Sequence, residues 1–112
     1  LVGHHTVKDG DINTGVTAIM PHSGNLYRQK VLGACDIING FGKSVGLMQI
    51  DELGVIEAPV ALTNTFSVSH VAIGQLRAAL AANPDIGRGS PSLNPTVLEC
   101  NDGYLNDMQA SP

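Results

Sequence analysis

An α/β architecture, richer in strands than in helices, follows from three features of this 112-residue chain. Short runs of β-branched and aliphatic residues recur between clusters of Gly, Asn, Asp and Pro, which is how buried strands bounded by turns read. One longer segment instead carries apolar residues at helical spacing. Long polar segments are few, so the sheet is expected to be covered on both faces.

The first strand is expected at Thr14 to Pro21, a run closed by Pro, preceded by the turn formers Asp9-Gly10-Asp11 and Asn13 and followed by His22-Ser-Gly-Asn25. Val31 to Ile38 reads as the second, stopped by Asn39-Gly40-Phe41-Gly42. Ser44 to Leu53 fits a short amphipathic helix about as well as a strand, because Val45, Leu47, Met48, Ile50 and Leu53 suit either period. Ala58 to Leu62 is the third strand, after Gly54. The convincing helix runs from about Ser67 to Asn83, with Ile73, Leu76 and Leu80 on one face and Arg77 turned to solvent or a partner. Ser67 or Ser69 can cap its start, and Pro84 ends it by disfavouring helical geometry at Asn83. Asp85 to Pro95, DIGRGSPSLNP, is a loop rather than a domain boundary, and the fourth strand is Thr96 to Cys100, stopped by Asn101-Asp102-Gly103.

Length allows one domain, residues 1–112, and 43% apolar residues are enough to fill its core. Charged residues make up only 14%, against about 25% in an average soluble domain, so part of the exterior is expected to be covered by another chain or by further sequence. The net charge is −4 and the six cations, Lys8, Arg28, Lys30, Lys43, Arg77 and Arg88, are scattered, which speaks against nucleic acid as a partner. No run approaches the ~18 apolar residues of a membrane span, and Leu1 to Gly10 lacks the pattern of a signal peptide, so a soluble chain with no membrane partner is expected. Cys35 and Cys100 lie in apolar stretches outside any C-x-x-C pair and read as buried reduced thiols, which suits a cytoplasmic setting. His4 and His5 are adjacent, and His22 and His70 stand alone, so neither a metal site nor a cofactor is expected.

Chemistry has its best footing in three strand-end turns, Asn39-Gly-Phe-Gly42, Thr63-Asn-Thr65 and Asn101-Asp-Gly-Tyr104. Turns of this kind offer backbone N–H groups and short amides to a developing oxyanion, but Asn and Gly also make Asx turns for purely structural reasons. No serine, from Ser23 to Ser111, sits in a G-x-S-x-G elbow, and no histidine has a carboxylate in a local motif. Cys100, between Glu99 and Asn101, is the remaining candidate nucleophile within the chain. Spacing alone yields a scaffold with polar turns and no complete active site.

The order of the motifs adds a resemblance. Val2-Gly-His4, Thr14-Gly-Val-Thr-Ala-Ile-Met-Pro21, Asn39-Gly-Phe-Gly-Lys43, Gly46-Leu-Met-Gln-Ile-Asp-Glu-Leu-Gly54, Glu57-Ala-Pro59, Leu62-Thr-Asn-Thr65 and Glu99-Cys-Asn-Asp-Gly-Tyr-Leu-Asn-Asp107 follow one another as in the N-terminal half of the L-aminopeptidase D-esterase family, which includes the β-peptidyl aminopeptidases. The resemblance covers essentially the whole chain, and NDGYLND is its most specific piece.

What the resemblance implies is part of an αββα sandwich similar to that of the N-terminal-nucleophile hydrolases, in a self-processing enzyme. A family precursor cuts itself before a Ser, or a Thr in some relatives, and the new N-terminal residue becomes the nucleophile with its own α-amine as base. This chain resembles the α portion, which implies a companion β chain carrying the nucleophile, a homo-oligomer of αβ units, and a peptide or amino-acid amide as substrate. Asn101 matches a family Asn beside the nucleophile, whose side-chain N–H donates to the tetrahedral oxyanion. Asn39 and Gly40 occupy the place where relatives build part of the substrate pocket. One branch carries an acidic residue there, in an N-G-x-G-E pattern that suits a free substrate amine, whereas this sequence has Lys43, which leaves the mode of amine recognition open. The other expectation is a non-catalytic interaction module that keeps the scaffold without the chemistry.

Overall fold

The computed structural model describes residues 1–110. Chain order is β1 (Val2–Asp9), β2 (Ile12–Ile19), β3 (Val31–Leu32), β4 (Ser44–Val45), α1 (Leu47–Leu53), β5 (Val55–Ile56), β6 (Val60–Thr63), a 3-10 turn (Thr65–Ser67), α2 (Val68–Ala82) and β7 (Thr96–Glu99). A five-stranded mixed sheet has the order β1-β2-β6-β7-β4, and β3 pairs with β5 in a separate two-stranded sheet. The central pair β6 and β7 is parallel, from Val60↔Thr96 to Thr63↔Glu99, and α2 is the crossover that parallel pairing requires. Antiparallel neighbours flank that pair on either side.

β1 is absent from the expectations drawn from sequence. Most of its residues are polar and all but Val7 are exposed, so no apolar run marks it. It forms because Gly10, at φ +58°, takes the position that a tight hairpin turn reserves for glycine, and the chain folds back in register from Asp9↔Ile12 to Val2↔Ile19. The run Val31 to Ile38 gives the opposite result: only Val31–Leu32 is strand, paired with Val55 and Ile56. Beyond Gly33, whose N–H reaches Gly54 O at 2.9 Å, no strand among the described residues lies alongside to accept the ladder, and Ile37 and Ile38 stand exposed. Ser44 to Leu53 divides into β4 and α1, so both periods were present in it.

α2 sits where the spacing placed it, but it turns a different face inward. Val68, Val71 and Ala72 pack on Ala61 and Val97, and Val45 completes the cluster. Ile73, Leu76 and Leu80 point away and are 37–48% exposed. Gln75 decides the rotation. Its amide donates to Pro59 O at 2.6 Å and Thr96 O at 3.2 Å and accepts from Thr96 N at 2.9 Å, locking the helix onto the entrances of β6 and β7. Capping differs too: Asn64, not Ser67 or Ser69, accepts Ser67 N–H at 3.1 Å and starts the turn that leads into α2. α2 covers one face of the sheet, while Val60, Leu62 and Leu98 on the alternate positions are only half-buried, so the expectation of two covered faces fails for the described residues.

Candidate functional site

The carboxyl ends of the parallel strands β6 and β7 are where the polar turns gather, as in open α/β sheets generally. One further rung, Cys100 N–H to Thr63 O at 2.7 Å, carries the chain off β7 into Asn-Asp-Gly-Tyr-Leu-Asn-Asp. Asn101 is exposed, and its Oδ1 accepts Gly103 N–H at 3.0 Å. That Asx turn fixes the amide through its oxygen and leaves the Nδ2 hydrogens directed elsewhere.

The turn is stapled from beneath. Leu105 N–H and Asn106 N–H reach Asp102 O at 2.8 and 3.0 Å. Asp102 Oδ2 accepts from the Thr14 hydroxyl at 2.6 Å, and its Oδ1 accepts from Asn106 Nδ2 at 3.1 Å. Buried Asn106 accepts in turn from Asn13 N–H at 2.8 Å, and Asp107 N–H meets Asp11 O at 2.9 Å. Buried Asn64 donates to Thr14 Oγ1 at 2.9 Å, which joins the end of β6 to the same network. Tyr104 and Leu105 are left facing outward.

Asn39 and Gly40 come to the same end of the sheet. Because β4 is antiparallel to β7, the loop before it leaves beside the point where Asn101 leaves β7. Asn39 makes its own Asx turn, Oδ1 accepting Phe41 N–H at 3.0 Å, and a side chain at Gly40 would meet nothing within 4 Å of its first carbon. Glu99 fastens this loop: its Oε1 accepts Lys43 N–H at 2.8 Å, while its own N–H meets Lys43 O at 3.2 Å. The Thr65 hydroxyl, close by though outside regular hydrogen-bond geometry, and the Lys43 N–H hold the Glu99 carboxyl below the usual glutamate range. Lys43 Nζ folds back over the Phe41 ring, 4.0 Å from its centroid, and stays 4.0 Å from Glu99 Oε1. A cavity of about 430 Å³ lies against these residues, walled by Ile38, Asn39, Gly40, Leu47 and Glu99.

Another cavity, about 370 Å³, opens between α2 and the Leu26–Tyr27 segment. Its polar groups already have partners: Glu57 takes Lys30 at 3.1 Å and Asn94 N–H at 2.9 Å, and Asn25 donates to Asn83 at 2.8 Å. Little is left there to orient a polar substrate.

The cysteines depart from the expectation of burial. Cys35 is half-buried and Cys100 exposed, both as free thiols; β7 ends at Glu99, one residue short of the strand that the apolar run suggested, and leaves Cys100 outside it. No hydrogen bond joins Cys100 to a histidine among the described residues, and no cluster of His, Cys, Asp and Glu there could hold a metal ion. Ser111, one of the serines considered from sequence, lies outside the described residues. No helix among the described residues is long and apolar enough to cross a membrane. No individual role at the site follows from sequence for Thr14, Asn64, Glu99, Asp102 or Asn106, since the bonds that recruit them span 50 to 93 positions or depend on the loop's return; the local signals were the strand-end turns that hold Asn64 and Asp102 and the NDGYLND motif that holds Asn106.

The model of peptidase family S58 matches residues 1–112. β-Peptidyl aminopeptidase BapA of Sphingosinicella microcystinivorans is 33% identical over 100 residues, covering 88% of this chain and 24% of that protein. The crystal structure of the PH0078 protein from Pyrococcus horikoshii OT3 superposes with a TM-score of 0.89 at 48% identity, over 92% of this chain and 32% of that one. The L-aminopeptidase D-Ala-esterase/amidase from Ochrobactrum anthropi, described as a prototype for the serine aminopeptidases and a new variant of the Ntn hydrolase fold, gives a TM-score of 0.83 at 27% identity, over 99% of this chain and 33% of that one. The chain therefore spans about a quarter of the curated relative and a third of the solved chains.

Proposed function

The chain belongs to peptidase family S58, and from that premise we propose that it is the non-nucleophilic α portion of an aminopeptidase or amidase that releases N-terminal residues from peptides, amino-acid amides and esters. A hydroxyl nucleophile, Ser or Thr, comes from a companion β chain and attacks the substrate carbonyl. The carbonyl oxygen becomes an oxyanion, the leaving amine takes a proton, and water later releases the acyl group. Asn101 donates Nδ2–H to that oxyanion, and the Asn39-Gly40 loop lines the pocket for the residue being removed. Working units are αβ pairs assembled into a homo-oligomer in the cytoplasm.

The observation that carries this reading is the geometry of Asn101 within a family match spanning the chain: its oxygen is spent on Gly103 N–H, so the face it offers is a donor. The test is hydrolysis of an amino-acid p-nitroanilide by the full-length protein, with mass spectrometry of a quenched reaction. Chromogenic release together with an acyl adduct on a Ser or Thr outside this chain is expected. A folded protein with neither would leave the non-catalytic module standing, and turnover abolished by thiol alkylation would move the chemistry to Cys100.

A further inference from the structure

The Thr14 hydroxyl joins three separate segments at the candidate site. It accepts from Asn64 Nδ2 at 2.9 Å and donates to Asp102 Oδ2 at 2.6 Å, so its hydrogen and one lone pair both have fixed partners. Asn64 is in turn oriented by Ser67 N–H at 3.1 Å, at the mouth of α2, which makes its amide a donor toward Thr14 and settles the direction of the hydroxyl hydrogen. Asp102, the receiver, is the residue after Asn101, and its backbone oxygen holds the next turn of chain. A carboxylate that accepts from Thr14 on one oxygen and from Asn106 on the other has no rotation left, so the backbone entering the Asx turn is fixed from both ends.

We propose that Thr14 is a positioning residue for Asn101: the Asn64–Thr14–Asp102 relay holds the 101–107 turn so that the Asn101 amide meets the reacting carbonyl. This rests on the reading of Asn101 as an oxyanion donor. Thr14 touches no substrate, and its effect passes through the placement of another group, to which catalysis is sensitive on the scale of an ångström.

Thr14→Val in the full-length enzyme, nearly the same size but unable to donate or accept, is expected to lower kcat by about tenfold to a hundredfold, with KM changed less than about twofold. Active-site titration sets the concentration of competent enzyme, so a loss of folded protein is not counted as a loss of rate. Thr14→Ser keeps the hydroxyl and is expected to restore most of the rate. In an Asn101→Ala background, Thr14→Val should have little further effect, because there is no donor left to place. If Thr14→Val does not fold, Asp102→Asn removes one of the two acceptor oxygens and should give the same coupling. A normal kcat per titrated site in Thr14→Val, or multiplicative effects with Asn101→Ala, overturns the positioning role while leaving Asn101 in place. An Asn101→Ala enzyme of undiminished kcat removes the oxyanion reading and this proposal with it.

Discussion

At Asn101 the exchange of one nitrogen for one oxygen separates two roles. Asn101→Asp preserves the acceptor that Gly103 N–H uses, so as a turn former it should be nearly silent in stability. As an oxyanion donor it should fail, with turnover reduced by at least the ~10²–10³ that accompanies loss of one such donor, and negative charge placed where negative charge develops. Asn101→Ala loses the donor without the repulsion and should be less impaired in rate, while losing about 1 kcal/mol of stability with the turn. Kinetics and melting temperatures of the pair rank the two roles oppositely. Glu99 yields a prediction in pH. Its carboxyl is held below the ordinary value of 4.5 in the folded state, so the folded protein favours the ionised form. That stabilisation is complete above 4.5 and disappears as pH falls through the lowered value. Glu99→Gln, which does not titrate, should show a shallower fall of melting temperature below pH 4.5 than the parent, and parallel curves would show that Glu99 contributes no such linkage.

Between elements, the junction from β4 to α1 leaves less room than any other glycine position among the described residues. Gly46 lies at φ +92°, and a methyl group there would sit 2.0 Å from Pro95 O, the residue that leads into β7. Gly46→Ala should therefore cost roughly 2–4 kcal/mol, through left-handed strain and the displacement of one strand from its neighbour. Gly74 supplies the contrast. It lies on the exposed side of α2 with nothing within 4 Å of a built Cβ, so Gly74→Ala should stabilise by roughly 0.5–1 kcal/mol through helix propensity alone. Denaturant midpoints of the two variants should move in opposite directions. The same helix shows how legible the elements were: its length followed from spacing and from Pro84, but its rotation followed from Gln75, a polar residue whose partners are backbone groups 16 and 21 positions away.

Seen whole, the chain exposes more surface than its mass predicts. A monomer of 11.7 kDa should present about 5,900 Å², and this one presents 7168 Å². Its radius of gyration is 14.6 Å, against about 13 Å for a compact domain of this length. Leu32, Ile38, Phe41 and Met48 are each more than 80% exposed, and Ile38 and Met48 border the Asn39-Gly40 cavity. Such surface favours association, so the 112-residue chain expressed by itself is expected to scatter light as oligomers or aggregates and to bind a hydrophobic dye. A monodisperse monomer of 11.7 kDa that binds no dye would count against the proposed companion chain.

Local rules wrote α2, β7 and the strand-end turns into the sequence, because caps, prolines and helical periodicity act over a few neighbouring residues. The motif order went further and carried the family. Everything that depends on a partner brought from afar was decided by the tertiary structure. β1 exists because β2 offers it a ladder, and Ile37 and Ile38 are not strand because nothing offers them one. Asn39 and Asn101 arrive at one end of the sheet because β4 runs antiparallel to β7, and Thr14 reaches Asp102 across 88 positions. The physical reason is the same in each case: a backbone ladder or a polar side chain gains its stability only when a distant group completes the hydrogen bond, and no local pattern records which group that will be.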